Sequence, residues 1–190
     1  MATMWIVDRD HSEVKFKVKY LGISSLTGCF NDFSGVVLAG ENFSSAHTWF
    51  EVNVCSIFTN NERRDAHLKS PDFFDVARHP VISFCSDVLK IQHDNRFELN
   101  GDLLIKDNVM PITLSVTYAG TTTDPWGNTK AGFEVRGLLN KKQCGLKWNA
   151  TTGAGARVVS EDVILSINMQ LLKQSEQNAA KVSRIDNRLS

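Results

Sequence analysis

Two short stretches of the 190-residue chain concentrate side chains able to do chemistry. One runs from Asn60 to Val76 and carries Arg63, Arg64, Asp65, His67, Lys69, Asp72 and Asp75; the other sets Cys144 behind Lys141, Lys142 and Gln143. Neighbouring lysines favour a thiolate, but nucleophilic catalysis also needs a partner base, and none is identifiable for Cys144; a buried structural thiol is the commoner outcome. The histidines His11, His47, His67, His79 and His93 are scattered, with no H-x-x-x-H on a helix, and Cys29, Cys55, Cys85 and Cys144 form no C-x-x-C pair, so no metal site is expected. Gly153-Ala154-Gly155-Ala156 lacks the third glycine and the strand-to-helix setting of a phosphate cradle and reads as a loop. Asp72 and Asp75 lie three apart, but helix capping accounts for Asp72 without acid-base work. Binding chemistry remains. Arg63, Arg64 and Lys69 suit an anionic group, against the plainer reading that Arg64 and Asp65 pair with each other; His67 is either a ligand contact or a hydrogen-bonding residue of the rim. A competing enzyme reading would use His67 or Cys144 on a lipidic substrate.

The whole chain narrows the choice. Twenty-one basic and 21 acidic residues give zero formal charge, which removes the driving force that nucleic-acid binders and polybasic membrane adsorbers rely on. No apolar run approaches the roughly 18 residues that cross a bilayer. The opening MATMWIVDRDHSEVKF meets Asp8, Arg9, Asp10 and His11 before an apolar segment forms, so no secretory signal and a cytoplasmic location are expected, with buried free thiols. The sequons at Asn42 and Asn149 would matter only in an exported chain.

Period-two alternation then supplies the scaffold. Val14, Phe16, Val18 and Tyr20 alternate with Glu13, Lys15, Lys17 and Lys19. The pattern recurs at Phe50 to Val54, Ile82 to Phe84, Leu99 to Ile105, Ile112 to Tyr118, Phe133 to Val135 and Val163 to Leu171. With Phe33 to Leu38 this makes about eight strands, each wet on one face. Short turns at His93-Asp94-Asn95, Asp107-Asn108 and Asp124 to Asn128 favour an up-and-down meander. A meander of eight closes into a barrel, which removes its edges and encloses either packed side chains or one small ligand. One stretch breaks the pattern: Asn60 or Asn61 caps a short helix with Glu62 and Asp65 in its first turns, and Ser70-Pro71-Asp72 starts a second turn. Leu68, Phe73 and Phe74 give this insert an apolar face suited to a plug or lid, with Arg63, Arg64, Asp65 and Lys69 left near water. Domain residues 1–172 are followed by a polar tail, 173–190, expected to be frayed or helical around Val182, Ile185 and Leu189.

Several segments resemble the YceI-like family of lipid-binding proteins. They are W-x-V-D-x-x-H-S-x-V-x-F-x-V-x-Y at Trp5 to Tyr20, the T-G-C-F-N-D-F-S-G turn at Thr27 to Gly35 and, above all, T-N-N-E-R-R-D-A-H-L-K-S-P-D-F-F-D-V at Thr59 to Val76, followed by His79-Pro80 and Ile82-Ser83-Phe84. Gly101 to Leu114 and Gly132 to Leu146 are similar to the family's second half. The resemblance implies an all-β, eight-stranded antiparallel lipocalin-like barrel, usually a homodimer, that holds a polyisoprenoid or other alkyl-chain molecule, such as a quinone or prenyl diphosphate, without catalysis or a separate cofactor.

The inward parity by itself supplies a tube of Val, Leu, Ile and Phe but does not distinguish a cavity from a filled core. If the tube is hollow, Phe16, Val18, Phe50, Val52, Phe84, Leu114, Val116 and Phe133 contact an apolar tail, Phe73 and Phe74 close one end, and Arg64 and His67 meet the polar head. At about 0.8 kcal/mol per buried methylene, ten to fifteen enclosed carbons reach the roughly 8 kcal/mol of micromolar affinity after ordering losses. Length and girth of the chain should then outweigh the charge of its head. If the tube is solid, the protein is a stress or interaction module.

Overall fold

The computed structural model describes residues 2–40, 43, 45–93, 95–148, 151 and 158–175, with the backbone alone for 87–93. The strand segments are β1 (Thr3–Val7), β2 (Glu13–Tyr20), β3 (Ser24–Phe30), β4 (Phe33–Ala39), β5 (Ala46–Asn53), β6 (Ile57–Phe58), β7 (Val81–His93), β8 (Arg96–Ile105), β9 (Asn108–Thr123), β10 (Thr129–Asn140) and β11 (Val159–Lys173), with one helix, α1 (Glu62–Lys69), between β6 and β7. The first six segments are three broken strands. A 3-10 turn at Arg9–His11 interrupts β1–β2, a bend at Asn31-Asp32 interrupts β3–β4, and a 3-10 turn at Val54–Ser56 interrupts β5–β6. Each half keeps its neighbour: β2 pairs with β3 and β1 with β4, β3 with β6 and β4 with β5. Long β11 runs beside β2 as far as Asn168 and then beside β1 at Leu171 to Lys173. Eight antiparallel strands thus run up and down in chain order, and the pairing of the last with the first closes the ring. This is the lipocalin-like barrel, in which closure pairs the last strand with the first instead of leaving them as the open edges of a sheet.

Alternation sets which side faces in. Along β2, Glu13, Lys17 and Lys19 are exposed, whereas Val14 is buried and Phe16 and Val18 face the interior. Phe97, Leu99, Leu103 and Ile105 on β8 and Leu114 and Val116 on β9 are buried on the same principle. Glycine supplies room at two crowded wall positions. A Cβ at Gly28 would collide with the ring of Phe16 and with Thr59, and one at Gly101 with the ring of Phe84, so both rings lie across a bare backbone.

Several local expectations are corrected. Thr27 to Gly35 is strand, bend and strand rather than a turn. Val54 leaves the strand because the Asn53 side chain accepts a hydrogen bond from the Cys55 N–H at 3.0 Å and starts a 3-10 turn. Asn61 is the N-cap of α1, accepting from the Arg64 N–H at 2.9 Å. Ser70 ends that helix instead of opening another, its Oγ donating to the His67 carbonyl at 2.7 Å; hydrogen-bonded turns carry the chain on to Val76. Cys55 and Cys85 are exposed, so not every thiol is buried. Gly153 to Ala156, Asn42, Asn149, Asp94 and residues 176–190 lie outside the described residues.

Candidate functional site

The barrel is hollow. An apolar cavity of about 630 Å³ runs through it. Taking the roughly 30 Å³ liquid share of a water molecule as the size of a methylene, that is room for about 20 chain carbons. Phe16, Phe50, Val135, Leu165 and Ile167 face inward yet are only half-buried, because one side of each fronts the void. All twelve positions expected to meet ligand lie on this wall: Phe16, Val18, Phe50, Val52, Arg64, His67, Phe73, Phe74, Phe84, Leu114, Val116 and Phe133.

The two ends differ. At the end formed by β1, the start of β5 and the β9–β10 hairpin, Phe43 packs against Trp5 (ring centroids 5.1 Å apart), Phe133 (4.9 Å) and Tyr118 (5.7 Å). Trp5, Phe43 and Phe133 are all buried, so aromatic rings seal this end. Just outside, Asp8 Oδ2 receives Lys130 Nζ at 2.9 Å and sits 3.0 Å from His11 Nδ1, while Asp124 lies 3.7 Å from Lys130. Burial alone would raise the Asp8 pKa, but the hydrogen bonds and charges of Lys130 and His11 outweigh it and hold the carboxyl below its ordinary value.

The opposite end is polar. After β6, Thr59 turns the chain into α1, and its backbone N–H and hydroxyl both donate to Asp65, which is therefore buried instead of solvated. Arg64 donates from Nε to Thr59 Oγ1 at 2.8 Å and from a terminal nitrogen to Thr59 O at 2.6 Å. Arg64 and Asp65 thus meet through Thr59, and the guanidinium is fixed on the cavity wall. Arg63 is exposed and Lys69 half-buried, and neither belongs to that wall. The His67 ring stands edge-on to Trp148 at 4.7 Å, with Asp72 at 3.9 Å from Nε2. Leu68, Phe73 and Phe74 present the apolar side of the insert to the void; the turn holding Phe73 is tied down by Lys106 Nζ, which donates to its carbonyl at 3.0 Å.

Lys141 was not among the expected residues. It lies on the wall, is 2% exposed and donates from Nζ to the Trp148 carbonyl at 3.0 Å. Its signal was present in the sequence: it continues the inward parity of Phe133, Val135, Gly137 and Leu139. Trp148 follows β10 in a segment without period and gave none. Arg64, His67 and Lys141 line the cavity, and among the described residues no carboxylate does. Cys144 is also on the wall, but burial pushes its thiol up to about 11, so the basic residues before it do not yield a thiolate. Among the described residues no three His, Cys, Asp or Glu side chains are grouped to hold a metal.

A closed eight-stranded barrel, an insert after the third strand and an apolar lumen are a specific combination, and the model of the YceI-like domain matches residues 5–171. The chain belongs to the YceI-like family. A UPF0312 protein of Pectobacterium atrosepticum is 35% identical to this YceI-like chain over 165 residues, covering 86% of the chain and 82% of that protein. The crystal structure of a Campylobacter jejuni YCEI protein superposes with a TM-score of 0.71 at 25% identity, over 88% of this chain and 96% of that one. A polyisoprenoid binding domain from Saccharophagus degradans, implicated in plant cell wall breakdown, has the same fold with a TM-score of 0.63 at 15% identity, over 90% and 98% of the two chains. No helix among the described residues of the YceI-like barrel is long and apolar enough to cross a membrane.

Proposed function

We propose that the protein binds, carries or stores an amphiphilic long-chain lipid of the polyisoprenoid type, without catalysis, with its tail in the barrel and its head among Arg64, His67 and Lys141. The supporting observation is the cavity itself: apolar along its length, sealed by aromatic rings at one end, and cationic at the other. The description of the Saccharophagus domain as polyisoprenoid binding points the same way. Cations on the wall, with no carboxylate among the described residues that line it, favour a prenyl phosphate or diphosphate over a neutral quinone, because a guanidinium and an ammonium both donate charge-assisted hydrogen bonds. The homodimer and cytosolic location that the sequence suggests belong to the same proposal, and light scattering reads the first.

Passage through water opposes release. A tail of about 15 methylenes loses roughly 12 kcal/mol when fully hydrated, so handover requires direct contact with an acceptor. Native mass spectrometry of gently purified protein, followed by organic extraction, tests the reading: one lipid per chain is expected. Recovery of lipid-free protein that also takes up no added prenyl phosphate would overturn it.

A further inference from the structure

We propose that the tip of the β2–β3 hairpin, Leu21-Gly22-Ile23, docks the barrel on a lipid bilayer with the polar end of the cavity facing the membrane, a surface that deepens the lipid-carrier reading and rests on it. The hairpin is closed by the Ile23 N–H donating to the Tyr20 carbonyl at 3.2 Å, with φ of +52° at Leu21 and +71° at Gly22. Positive φ at both central positions selects Asn, Asp or Gly, yet the first is leucine. A bulky apolar residue held in left-handed backbone at a hairpin tip, two positions from a far more exposed isoleucine, points to a partner outside the chain. Leu21 is 41% exposed and Ile23 is 87% exposed, the highest value among the exposed large apolar side chains described.

Position ties this tip to the cavity. Tyr20 and Leu26, on either side of it, stand on the cavity wall, and the Leu21 N–H donates at 2.8 Å to the carbonyl of Val158, another wall residue. Val159, next along, pairs with Tyr20, and the Lys141 N–H donates at 2.8 Å to the carbonyl of Glu161 two residues further. The tip therefore projects from the same end as the cationic mouth. Charge leans toward an anionic surface: Lys17 and Lys19 are exposed on the outer face of β2 approaching the tip, and Arg63, Arg78, Lys142 and Lys147 are exposed at this end, against the exposed carboxylates Glu62, Asp72, Asp107 and Asp162. With charges so mixed, the apolar tip carries most of the contact and anionic lipid strengthens it. A lipid leaving the mouth would then enter the bilayer without crossing bulk water.

Trp126 supplies an internal control. It is 82% exposed in the β9–β10 hairpin, at the sealed end. Flotation with vesicles of equal parts phosphatidylcholine and phosphatidylglycerol, and with phosphatidylcholine alone, compares the wild type with Ile23→Glu and Trp126→Ser. The wild type is expected to float with both, better with the anionic vesicles. Ile23→Glu should lower partitioning about tenfold or more, the factor that burial of one isoleucine side chain is worth, and slow lipid transfer to vesicles while retaining its lipid by native mass spectrometry. Trp126→Ser should float like the wild type. A lumen variant, Leu165→Arg, separates the two readings, since it should lose lipid and still float. The docking proposal is overturned if the wild type floats with neither vesicle, if Ile23→Glu floats undiminished, if Trp126→Ser is weakened equally, or if Ile23→Glu instead turns a dimer into a monomer in light scattering.

Discussion

The two ends of the barrel solve opposite problems with the same strands. At the sealed end, Trp5, Phe43, Tyr118 and Phe133 fill the space between strands with rings, and Asp8 and Lys130 fasten the first strand to the β9–β10 hairpin outside them. At the other end the wall carries a guanidinium, an imidazole and an ammonium, held by Thr59, Asp65 and Trp148 instead of by ring packing. Stability should therefore be concentrated at the first end and selectivity at the second. The wall between them should determine whether any lipid is held at all.

The largest effect belongs to that wall. Leu165→Arg places a charge in the void at a half-buried position, where the side chain extends without breaking its own strand. Complete loss of co-purifying lipid is expected, with the far-ultraviolet β-signal retained; a variant that still carries stoichiometric lipid would contradict the inward parity of β11. Phe84→Arg is a poorer probe, because that ring lies over Gly101 and is part of the wall's own packing. Next is the seal. Phe43→Ala removes a ring at the centre of the aromatic cluster and should lower unfolding stability by about 3–5 kcal/mol, as read by denaturant titration. A loss under 1 kcal/mol would mean that the cluster is not tightly packed.

The parity of the wall was legible in the sequence because each strand has one wet face, as at Val14 to Tyr20, and alternation has one solution under that condition. Thr3–Val7, a nearly unbroken apolar run, and Ser24–Phe30, polar at its start, carry no such pattern and were missed. So were the interruptions at Arg9–His11 and Val54–Ser56, which arise from single hydrogen bonds of side chain or turn and not from a periodic signal. Hollow and filled tubes give the same residue pattern, since alternation fixes which side chains face inward and not how far they reach across the lumen. Lys141 was in reach, two positions past Leu139, whereas the role of Asp65 depended on Thr59 folding back over it.

At the polar end, Asp65→Ala would leave the buried Thr59 N–H and hydroxyl without their acceptor and free Arg64 from its register. A destabilisation of about 1–3 kcal/mol is expected, together with weaker retention of an anionic lipid. If stability falls and retention does not, Arg64 is a structural residue and the head lies elsewhere. Lys141→Met tests the head directly, and because it also removes the donor to the Trp148 carbonyl, a charged and an uncharged ligand of the same tail must be compared. Affinity for a prenyl phosphate should fall about tenfold or more, as expected for one lost charge-assisted hydrogen bond, while affinity for the matching prenol stays level. Equal losses for both ligands would assign Lys141 to the wall alone.

The smallest effect is the pH response of the fastening outside the seal. Asp8 is held below its ordinary 3.8, as is Asp124, where burial opposes but hydrogen bonds from Asn128 and the Trp126 N–H and the charge of Lys130 prevail. Both contributions are complete above 3.8 and disappear as pH falls through the lower folded values. Lys130 is raised above 10.5, chiefly by its hydrogen bond to Asp8, so its contribution is complete below 10.5 and disappears as pH rises through the higher folded value. Asp8→Asn should accordingly flatten the acid limb of a plot of Tm against pH, and soften the alkaline limb through Lys130. An acid limb as steep as the wild type's would show that Asp8 is not the group responsible. Lipid retention at neutral pH should not change in this variant, because neither Asp8 nor Lys130 touches the cavity wall; the same substitution that loosens one end should leave the chemistry of the other intact.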